Sequence, residues 1–430
     1  MFDATAYSEA QREYIADTIE IAYQQVTDFL KRLESTASKE PTNFRGRRVP
    51  LEVSANASLA FGNPDGGDLA KPGSPKFNHL QIPYVHVNIG LETSYNAILN
   101  EGRETVGNAF EQIAESTAKT LMKRLNIYAS NGDGTTKLGI VSARTSNAVL
   151  TLDGATDTIG ATQLIEEQRV LIWDPTGTTQ RVGTVGSGTI RIASLTQTTI
   201  TRGTGASGDI DWPSDVVAGD IVCPEGATPS VGMKGIPYIN NNVGDYFGLA
   251  RSVVRAVQST IVPAAGGALS AAFLQAARSR TKQRSGQFGT RENGITELAM
   301  GITQHDAYAT LLTPISFQHI TDGRPKGDLG FASQEFTWFG TPLNEYADWL
   351  GTRVDFLNMK HLKIANCKEV GALKGMPIND ELQSFNGTTG VYRMAKSRYW
   401  DCARDNFSPS PYRLGAVTGL SVSGLSQQKS

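Results

Sequence analysis

One long amphipathic segment constrains the fold of this chain more than any other feature. Across residues 103–128, small and apolar residues recur at three- and four-residue steps, with charged residues between them. The recurring positions are Val106, Ala109, Phe110, Ile113, Ala114, Thr117, Leu121 and Leu125. This spacing predicts a one-faced helix about 39 Å long. Such a helix needs a long apolar surface against it, and its predicted structural core positions are Val106, Phe110, Ile113, Leu121 and Leu125.

Two stretches before this helix have the alternation of β-strands. Apolar and polar residues alternate over residues 51–61, and a second apolar-rich stretch covers residues 80–91. The turn-rich sequence GNPDGGDLAKPGSPK separates them. The pattern predicts a hairpin about 35 Å long, with a bulge or bend beside Pro83, where the apolar parity switches. Because a two-stranded hairpin is marginal in water, we expect it to rest on its own helix, on another subunit, or on both.

The first fifty residues predict a helix followed by an arm. Apolar residues have helical spacing over residues 8–33, and Ser8 is a candidate N-cap. The following stretch loses periodicity and contains Arg45, Arg47 and Arg48. Two interpretations stay open for these arginines: a solvated linker, or docking on the carboxylates or phosphates of a neighbouring chain.

Between residues 145 and 229 the sequence changes to short runs rich in Thr, Gly and Val. Turn signals separate five such runs, which predicts a small β-barrel or sandwich inserted as a unit. The predicted strands cover residues 169–173, 180–185, 189–193, 197–202 and 220–223.

The remaining sequence predicts an α/β unit followed by further strands. We expect helices over residues 268–284 and 303–312, the second ending before Pro314, with a buried strand over 295–302 between them. Residues 313–340 are rich in Gly and Phe and predict a large exposed loop. The last ninety residues return to strands, which are predicted over residues 353–358, 362–365, 391–397 and 414–420.

Composition narrows the classes of function. Forty basic and 42 acidic residues give a net charge of −2, so there is no overall electrostatic attraction to nucleic acid or anionic membranes. The three cysteines, Cys223, Cys367 and Cys402, are far apart and indicate a reducing compartment. The opening MFDATAYSEAQ does not have the pattern of a signal peptide, and no uncharged apolar run approaches the roughly 20 residues of a membrane span. We therefore expect no membrane association.

Motifs for catalysis, cofactors or metals are weak. The five histidines form no HxxxH or HExxH pair. Gly203, Gly205 and Gly208 match G-x-G-x-x-G but lack the following helix that would hold a pyrophosphate. His305 and Asp306 are adjacent on a predicted helix and point about 100° apart, which prevents a direct acid/base pair. We predict no enzymatic activity and no cofactor, and this favours an assembly function.

One basic cluster leaves two interpretations open. It consists of Arg278, Arg280, Lys282, Arg284 and Arg291 around a Gly-rich turn. The residues are either a solvated helix end that suits the helix dipole or a contact for phosphate.

The order of these elements resembles the major capsid protein of tailed double-stranded-DNA bacteriophages, whose fold is shared with encapsulins and herpesvirus capsid floors. Several stretches look like sequences of this family: GIPYINNNVGDYFGLARS, HDAYATLLTP, FGTPLNEYADWLGTRVDFLNMKHLKI and YRLGAVTGL. The resemblance implies an α+β fold with an N-terminal arm, an extended β-hairpin loop, a peripheral domain built on a long spine helix, an axial α/β domain and an inserted small β-barrel domain. The inserted domain is additional to the minimal fold.

The resemblance also implies a domain division. The expected units are 1–49 (N-terminal helix and arm), 50–99 (extended hairpin loop), 100–144 (spine helix, first part of the peripheral domain), 145–230 (inserted β domain), 231–345 (axial domain) and 346–430 (second part of the peripheral domain and C-terminus).

The function implied by the resemblance is self-assembly through hexamers and pentamers into an icosahedral shell around phage DNA. Partners would be the chain itself, decoration, scaffolding and portal proteins, and DNA through local, non-specific contact. The protein would assemble in the host cytoplasm and reside in the virion capsid. The expected inter-subunit contact residues are Arg45, Arg47, Arg48, Phe61, Lys71, Lys76 and Phe77.

Some family members crosslink their subunits through a loop lysine and a neighbour's asparagine. The corresponding candidates here are Lys71, Lys76 and Asn358, against the alternative of ordinary solvated lysines. Two other functions stay open: an encapsulin-like compartment with packaged enzyme, and a cytoplasmic α/β enzyme with an accessory β-barrel.

Overall fold

The structure is a computed structural model of the 430-residue chain. It describes residues 28–42, 45–54, 56, 58, 73–94, 109–153, 164, 166, 168–182, 190–196, 199–203, 211–285, 294–318, 337–372, 384–386, 391–393 and 395–421. The predicted helix over residues 8–33 therefore lies partly outside the described residues.

Five α-helices and 22 strands occur within these ranges. The helices are α1 (Asp28–Thr36), α2 (Ala109–Asn131), α3 (Ile236–Ile239), α4 (Ala271–Ser285) and α5 (Ile302–Gln318). The strands before α3 are β1 (Ser38–Pro41), β2 (Arg47–Ser54), β3 (Lys76–Ile82), β4 (Val85–Ser94), β5 (Gly139–Arg144), β6 (Val149–Leu152), β7 (Arg169–Trp173), β8 (Ile190–Leu195), β9 (Thr199–Arg202) and β10 (Ile221–Pro224). Those after α3 are β11 (Asp245–Tyr246), β12 (Leu249–Ala250), β13 (Thr260–Pro263), β14 (Glu297–Met300), β15 (Thr337–Trp338), β16 (Thr341–Glu345), β17 (Val354–Leu357), β18 (Lys363–Ala372), β19 (Ser384–Asn386), β20 (Val391–Arg393), β21 (Ala395–Phe407) and β22 (Gly415–Thr418).

The long helix α2 packs into the largest of the cores formed by the described residues. Leu121 and Leu125 are buried, and they share this core with α1, β3 and the late strands β18 and β21. Val106 lies outside the described residues, and the side chains of Phe110 and Ile113 are also outside the description. A four-stranded sheet with the order β1-β18-β21-β4 lies beside the helix, so the late strands help to cover it.

The predicted hairpin is only partly right. β2 pairs antiparallel with β3, from Arg47 opposite Ile82 to Ser54 opposite Lys76. The second predicted strand does not continue as one element: β3 ends at Ile82, and β4 begins at Val85 and pairs with β21 instead. Pro83 has no N–H to continue the first ladder. The parity switch therefore marks a change of sheet, not a bulge within one hairpin.

The inserted region forms a closed barrel with the strand order β10-β5-β6-β9-β8-β7. Its interior has a separate core that includes Leu150, Ile172, Ile192, Ile200 and the fully buried Trp212. The prediction of a small β-barrel is confirmed. The barrel contains two strands beyond the five predicted ones, β5 and β6, and β5 begins before residue 145, the predicted start of the insertion. Residues 183–189 lie outside the described part of the chain.

The axial α/β unit is built on a six-stranded sheet with the order β13-β22-β17-β14-β16-β15. Helix α4 packs on β13 and β22, and a third core lies within this unit. The prediction that the second helix ends before Pro314 is wrong, because α5 continues to Gln318. A proline removes one backbone donor from a helix and can kink it, but it does not by itself end it. The predicted exposed loop over residues 313–340 correspondingly begins with helix and ends with β15.

Candidate assembly surfaces

The two-stranded arm formed by β2 and β3 is buried at its root and exposed at its outer end. Every second residue of β2 is half buried, and Val49, Leu51 and Val53 pack against the main core. On β3, Leu80 and Ile82 are fully buried, whereas the segment from Lys76 to His79 is exposed. Phe77 is 69% exposed. A large aromatic side chain is thus presented to solvent on a strand that is firmly attached at its other end.

A hydrogen-bonded ion cluster fixes the root of the arm. Arg47 lies 2.6 Å from a carboxylate oxygen of Glu40 and donates to the carbonyl oxygen of Pro41 at 2.7 Å. Lys363, on β18, donates a hydrogen bond to the carboxylate of Glu40 at 2.7 Å, and this bond lowers the pKa of Glu40. Gly46 has a φ of 78°, and a Cβ there would lie 2.5 Å from the carbonyl oxygen of Ile82. The root can therefore accept only glycine at this turn without moving.

The predicted inter-subunit residues have different surroundings in the subunit. The guanidinium of Arg47 is engaged within its own chain by Glu40 and Pro41. Arg45 and Arg48 are exposed, as are Lys76 and Phe77 on β3. Phe61 and Lys71 lie outside the described residues.

The N-terminal helix α1 is attached to the axial sheet through a buried carboxylate. Arg32 donates to Glu297 at 2.9 Å, and the side chain of Glu297 is fully buried on β14. Glu297 also accepts hydrogen bonds from Asn344 at 2.8 Å and Tyr346 at 3.0 Å. Burial and the adjacent Glu297 carboxylate both raise the pKa of Tyr346. The phenol is therefore held as a hydrogen-bond donor, and helix and sheet are locked together.

A second carboxylate, Asp348, links the spine helix α2 to the chain that follows β16. Lys123 donates to both of its oxygens at 2.8 Å, and Asn126 donates to one at 2.7 Å. Asn131 donates to the Asp348 carbonyl. Asn126 in turn accepts from the backbone N–H of Leu30 at 2.8 Å. One polar cluster thus joins α1, α2 and the segment leading to β17.

A third carboxylate lies where the barrel joins the rest of the subunit. Asp405 on β21 is fully buried and accepts from the backbone N–H of Lys234 at 2.7 Å. The ammonium of Lys234 lies 3.4 Å from its other oxygen. Burial raises the pKa of Asp405 to about 7, although Lys234 and two backbone hydrogen bonds act in the opposite direction. Desolvation outweighs the single ammonium because the carboxylate has no contact with water.

Asn358, the sequence-based candidate for a crosslinking partner, has both of its amide atoms engaged inside the subunit. Its side chain is fully buried. The amide nitrogen donates to the carbonyl of Gly294 at 2.6 Å, and the amide oxygen accepts from the backbone N–H of Lys360 at 3.1 Å. A lysine of another subunit could reach this amide only after these contacts had been broken.

The described residues do not contain a group of three His, Cys, Asp or Glu side chains suited to hold a metal ion. His305 lies beside Glu345, with its Nδ1 at 3.3 Å from the carboxylate. Across the described ranges, none of the helices has the length and apolar character required for a membrane span.

Sequence reasoning missed the buried carboxylates Glu297, Asp348 and Asp355. Asp355 lies on β17, where Arg353, Asn240 and the indole of Trp349 all donate to it. A usable signal was present, since an acidic residue inside an otherwise apolar strand needs a buried partner. The partners Arg32 of Glu297 and Lys123 of Asp348 lie more than 200 residues away in sequence, so they could not be read from sequence spacing.

Comparisons with known proteins point to one fold. No family model and no curated protein matches the sequence. The solved capsid asymmetric unit of cyanophage A-1(L) matches with a TM-score of 0.56 at 10% identity, covering 96% of this chain and 98% of that chain. The capsid of a native GTA particle has a TM-score of 0.47 at 10% identity, with 95% of each chain covered. The capsid of Myoviridae phage XM1 has a TM-score of 0.46 at 8% identity, with 96% of this chain and 98% of that chain covered.

The cyanophage match carries the fold assignment, because it spans nearly the whole of both chains. In this chain the matched region contains the β2–β3 arm, the long helix α2, the four- and six-stranded sheets and the closed barrel. The chain has an α+β fold similar to that of the cyanophage A-1(L) capsid chain.

Proposed function

We propose that this chain is the major capsid protein of a tailed double-stranded-DNA bacteriophage. In this proposal it assembles through hexamers and pentamers into an icosahedral shell around the phage genome. The observation that carries the proposal is the exposed outer half of the β2–β3 arm on a subunit with this fold. A two-stranded ribbon with Phe77 in solvent is not stable by its own contacts, so a neighbouring subunit is the expected support.

The charge of the chain agrees with a container that holds DNA without binding it strongly. A net charge of −2 avoids general attraction between the wall and the genome. Stability of the shell would come from many modest contacts repeated in a closed lattice. Decoration, scaffolding and portal proteins are further proposed partners. The proposed locations are the host cytoplasm during assembly and the virion capsid afterwards, and no catalytic role is assigned.

Replacing Phe77 by Ser tests the role of the arm. The wild-type protein should form capsomers or megadalton particles in size-exclusion chromatography and electron microscopy. The Phe77→Ser chain should keep its thermal midpoint, because the side chain is already exposed, yet yield at least five times fewer particles. Val217→Ser is the matched control, since Val217 is 50% exposed on the barrel, away from the arm.

Two results would overturn the proposal. A wild-type chain that remains a monomer or dimer would favour the enzyme alternative. Particles that contain a packaged enzyme and no genomic DNA would favour an encapsulin-like compartment. Normal particle yield from Phe77→Ser would contradict the arm's role but not shell formation itself.

A further inference from the structure

A pocket of about 370 Å³ lies in the axial unit where the last turn of α4 meets the start of β13. Its polar lining includes Asn242, Gln258, Ser259, Arg280, Gln283 and Arg284. None of the lining residues is acidic. Two guanidinium groups and three side-chain amides therefore supply hydrogen-bond donors to one concave surface.

Arg284 is held in place at this pocket by uncharged groups. It donates to the carbonyl oxygen of Ser259 at 3.0 Å and to the amide oxygen of Gln258 at 3.2 Å. Its pKa is lowered by burial and by the positive charge of Arg255. The guanidinium is therefore held in one position and partly desolvated. The charge that acts on it, that of Arg255, is also positive.

The positive charge extends along α4 beyond the pocket. The helix carries Arg278, Arg280, Lys282 and Arg284 and has no acidic residue. Arg278 lies over the ring of Phe339 at 3.8 Å. In the part of the chain that the structure describes, Arg255, Arg280, Lys282 and Arg284 form no ion pair.

The carbonyl end of α4 offsets only a small part of this charge. A helix C-terminus corresponds to roughly half a negative elementary charge, which is confined to the last turn. Arg255, Arg280 and Arg284 together exceed it several-fold. The solvated-helix-end interpretation therefore explains why basic residues are tolerated here, but it leaves a net positive, donor-rich concavity.

We propose that this pocket binds a phosphate group of a nucleic-acid backbone. The inference rests on the proposed function, because enclosed DNA is the ligand that would bring phosphates to the axial unit. A planar guanidinium suits both phosphate and carboxylate. The guanidinium groups of Arg280 and Arg284 in the lining, with Arg255 acting on Arg284 beside them, favour a polyanion over a single protein carboxylate, and the pocket volume exceeds what one carboxylate fills.

The test uses the full-length protein as subunits or capsomers and a fluorescently labelled 12-base-pair DNA duplex. Binding is measured by anisotropy across a series of salt concentrations, with sodium phosphate and sodium acetate as competitors at equal ionic strength. Arg280→Gln should weaken binding at least fivefold and reduce the slope of log affinity against log salt by about one. Inorganic phosphate should compete more strongly than acetate.

Lys282→Gln is the matched control, because it removes the same charge from an exposed position on the same helix that does not line the pocket. It should weaken binding less than twofold. Equal effects of the two substitutions, or no binding by the wild type, would overturn the proposal. Equal competition by acetate would also overturn it and would indicate a carboxylate of another protein chain. Particle formation is scored separately by electron microscopy. Particles that form without phosphate binding at the pocket would contradict this inference alone, whereas the absence of particles would contradict the proposed capsid function.

Discussion

Arg32 and Glu297 show at the residue scale how one buried carboxylate connects parts of the chain that are 265 residues apart. Glu297 is fully buried, while half of the Arg32 side chain remains exposed. The energetic roles of the two residues are therefore unequal. Loss of the arginine leaves a buried charge with only the neutral donors Asn344 and Tyr346, whereas the arginine itself could be hydrated.

Arg32→Ala should lower the free energy of unfolding by about 1–3 kcal/mol, because a buried carboxylate loses its charged partner. Lys31→Ala is the matched control on the same helix, with an exposed side chain, and should change it by less than about 0.5 kcal/mol. Denaturant titration of unassembled subunits measures both. Equal small effects would show that Asn344 and Tyr346 alone satisfy Glu297.

Asp405 should make the folded subunit less stable as the pH rises, because burial raises the pKa of its carboxyl group. With its pKa raised to about 7, the folded state holds a proton that the unfolded state, with a pKa near 3.8, has released. This contribution to stability is complete below about pH 4, falls as the pH rises, and is gone above about pH 7.

Asp405→Asn should remove this dependence, because the amide keeps an acceptor for the backbone of Lys234 and has no proton to lose. Between pH 4.5 and 7.5, the wild type should lose stability relative to the variant by at most about 1.4 kcal/mol per pH unit. Thermal or denaturant unfolding across this range measures the difference. Parallel curves would show that Lys234 keeps Asp405 ionised throughout.

At the scale of elements, the connection between spine helix and barrel is set by very close backbone packing. α2 ends at Asn131, and the chain leaving it runs against the chain that returns from the barrel. A Cβ on Gly132 would lie 2.4 Å from the carbonyl oxygen of Tyr128 and 2.5 Å from that of Met233. Both are backbone atoms, so neither can rotate away. Only glycine therefore fits at this crossing of the two backbone segments that connect α2 and the barrel.

Gly132→Ala should cost more than about 3 kcal/mol, because two backbone segments would have to separate. Gly226→Ala is the comparison: it has a φ of 73° with no atom near its Cβ, so only backbone strain of about 1–2 kcal/mol applies. Denaturant unfolding gives both values, and limited proteolysis should show earlier cleavage around the barrel connections of the Gly132 variant. A cost no greater than that of Gly226→Ala would show that the two segments can shift apart.

The elements that could be predicted are those whose pattern is local. Helices α2 and α4, the barrel and β17 follow from periodicity and turn residues within short windows. The exchange of partners at Pro83 could not be predicted, because it depends on β21, more than three hundred residues away in sequence. The full burial of Asn358 and the partners of Glu297 were missed for the same reason, since tertiary contacts decide them.

Within the described ranges of the chain, three separate cores are joined by buried polar links. The largest core contains α1, α2 and the late strands, and the others fill the barrel and the axial sheet. Glu297 and Asp348 connect α1 and α2 to the axial sheet and its following segment, and Asp405 lies at the barrel junction. A subunit joined in this way would enter a shell as one rigid body, with the outer arm as the part that needs a neighbour.

The burial of Asn358 leads to a prediction about assembled particles. Both of its amide atoms are used inside the subunit, so a lysine on a neighbour's arm would have to displace these hydrogen bonds to reach it. We therefore expect shells without a covalent bond at Asn358. Intact particles boiled in detergent should give a single band at the monomer mass of 46.2 kDa on a denaturing gel. A ladder of higher bands that disappears in Asn358→Asp, but persists in the exposed control Asn78→Asp, would contradict this prediction and show that the hydrogen bonds around Asn358 open in the assembled shell.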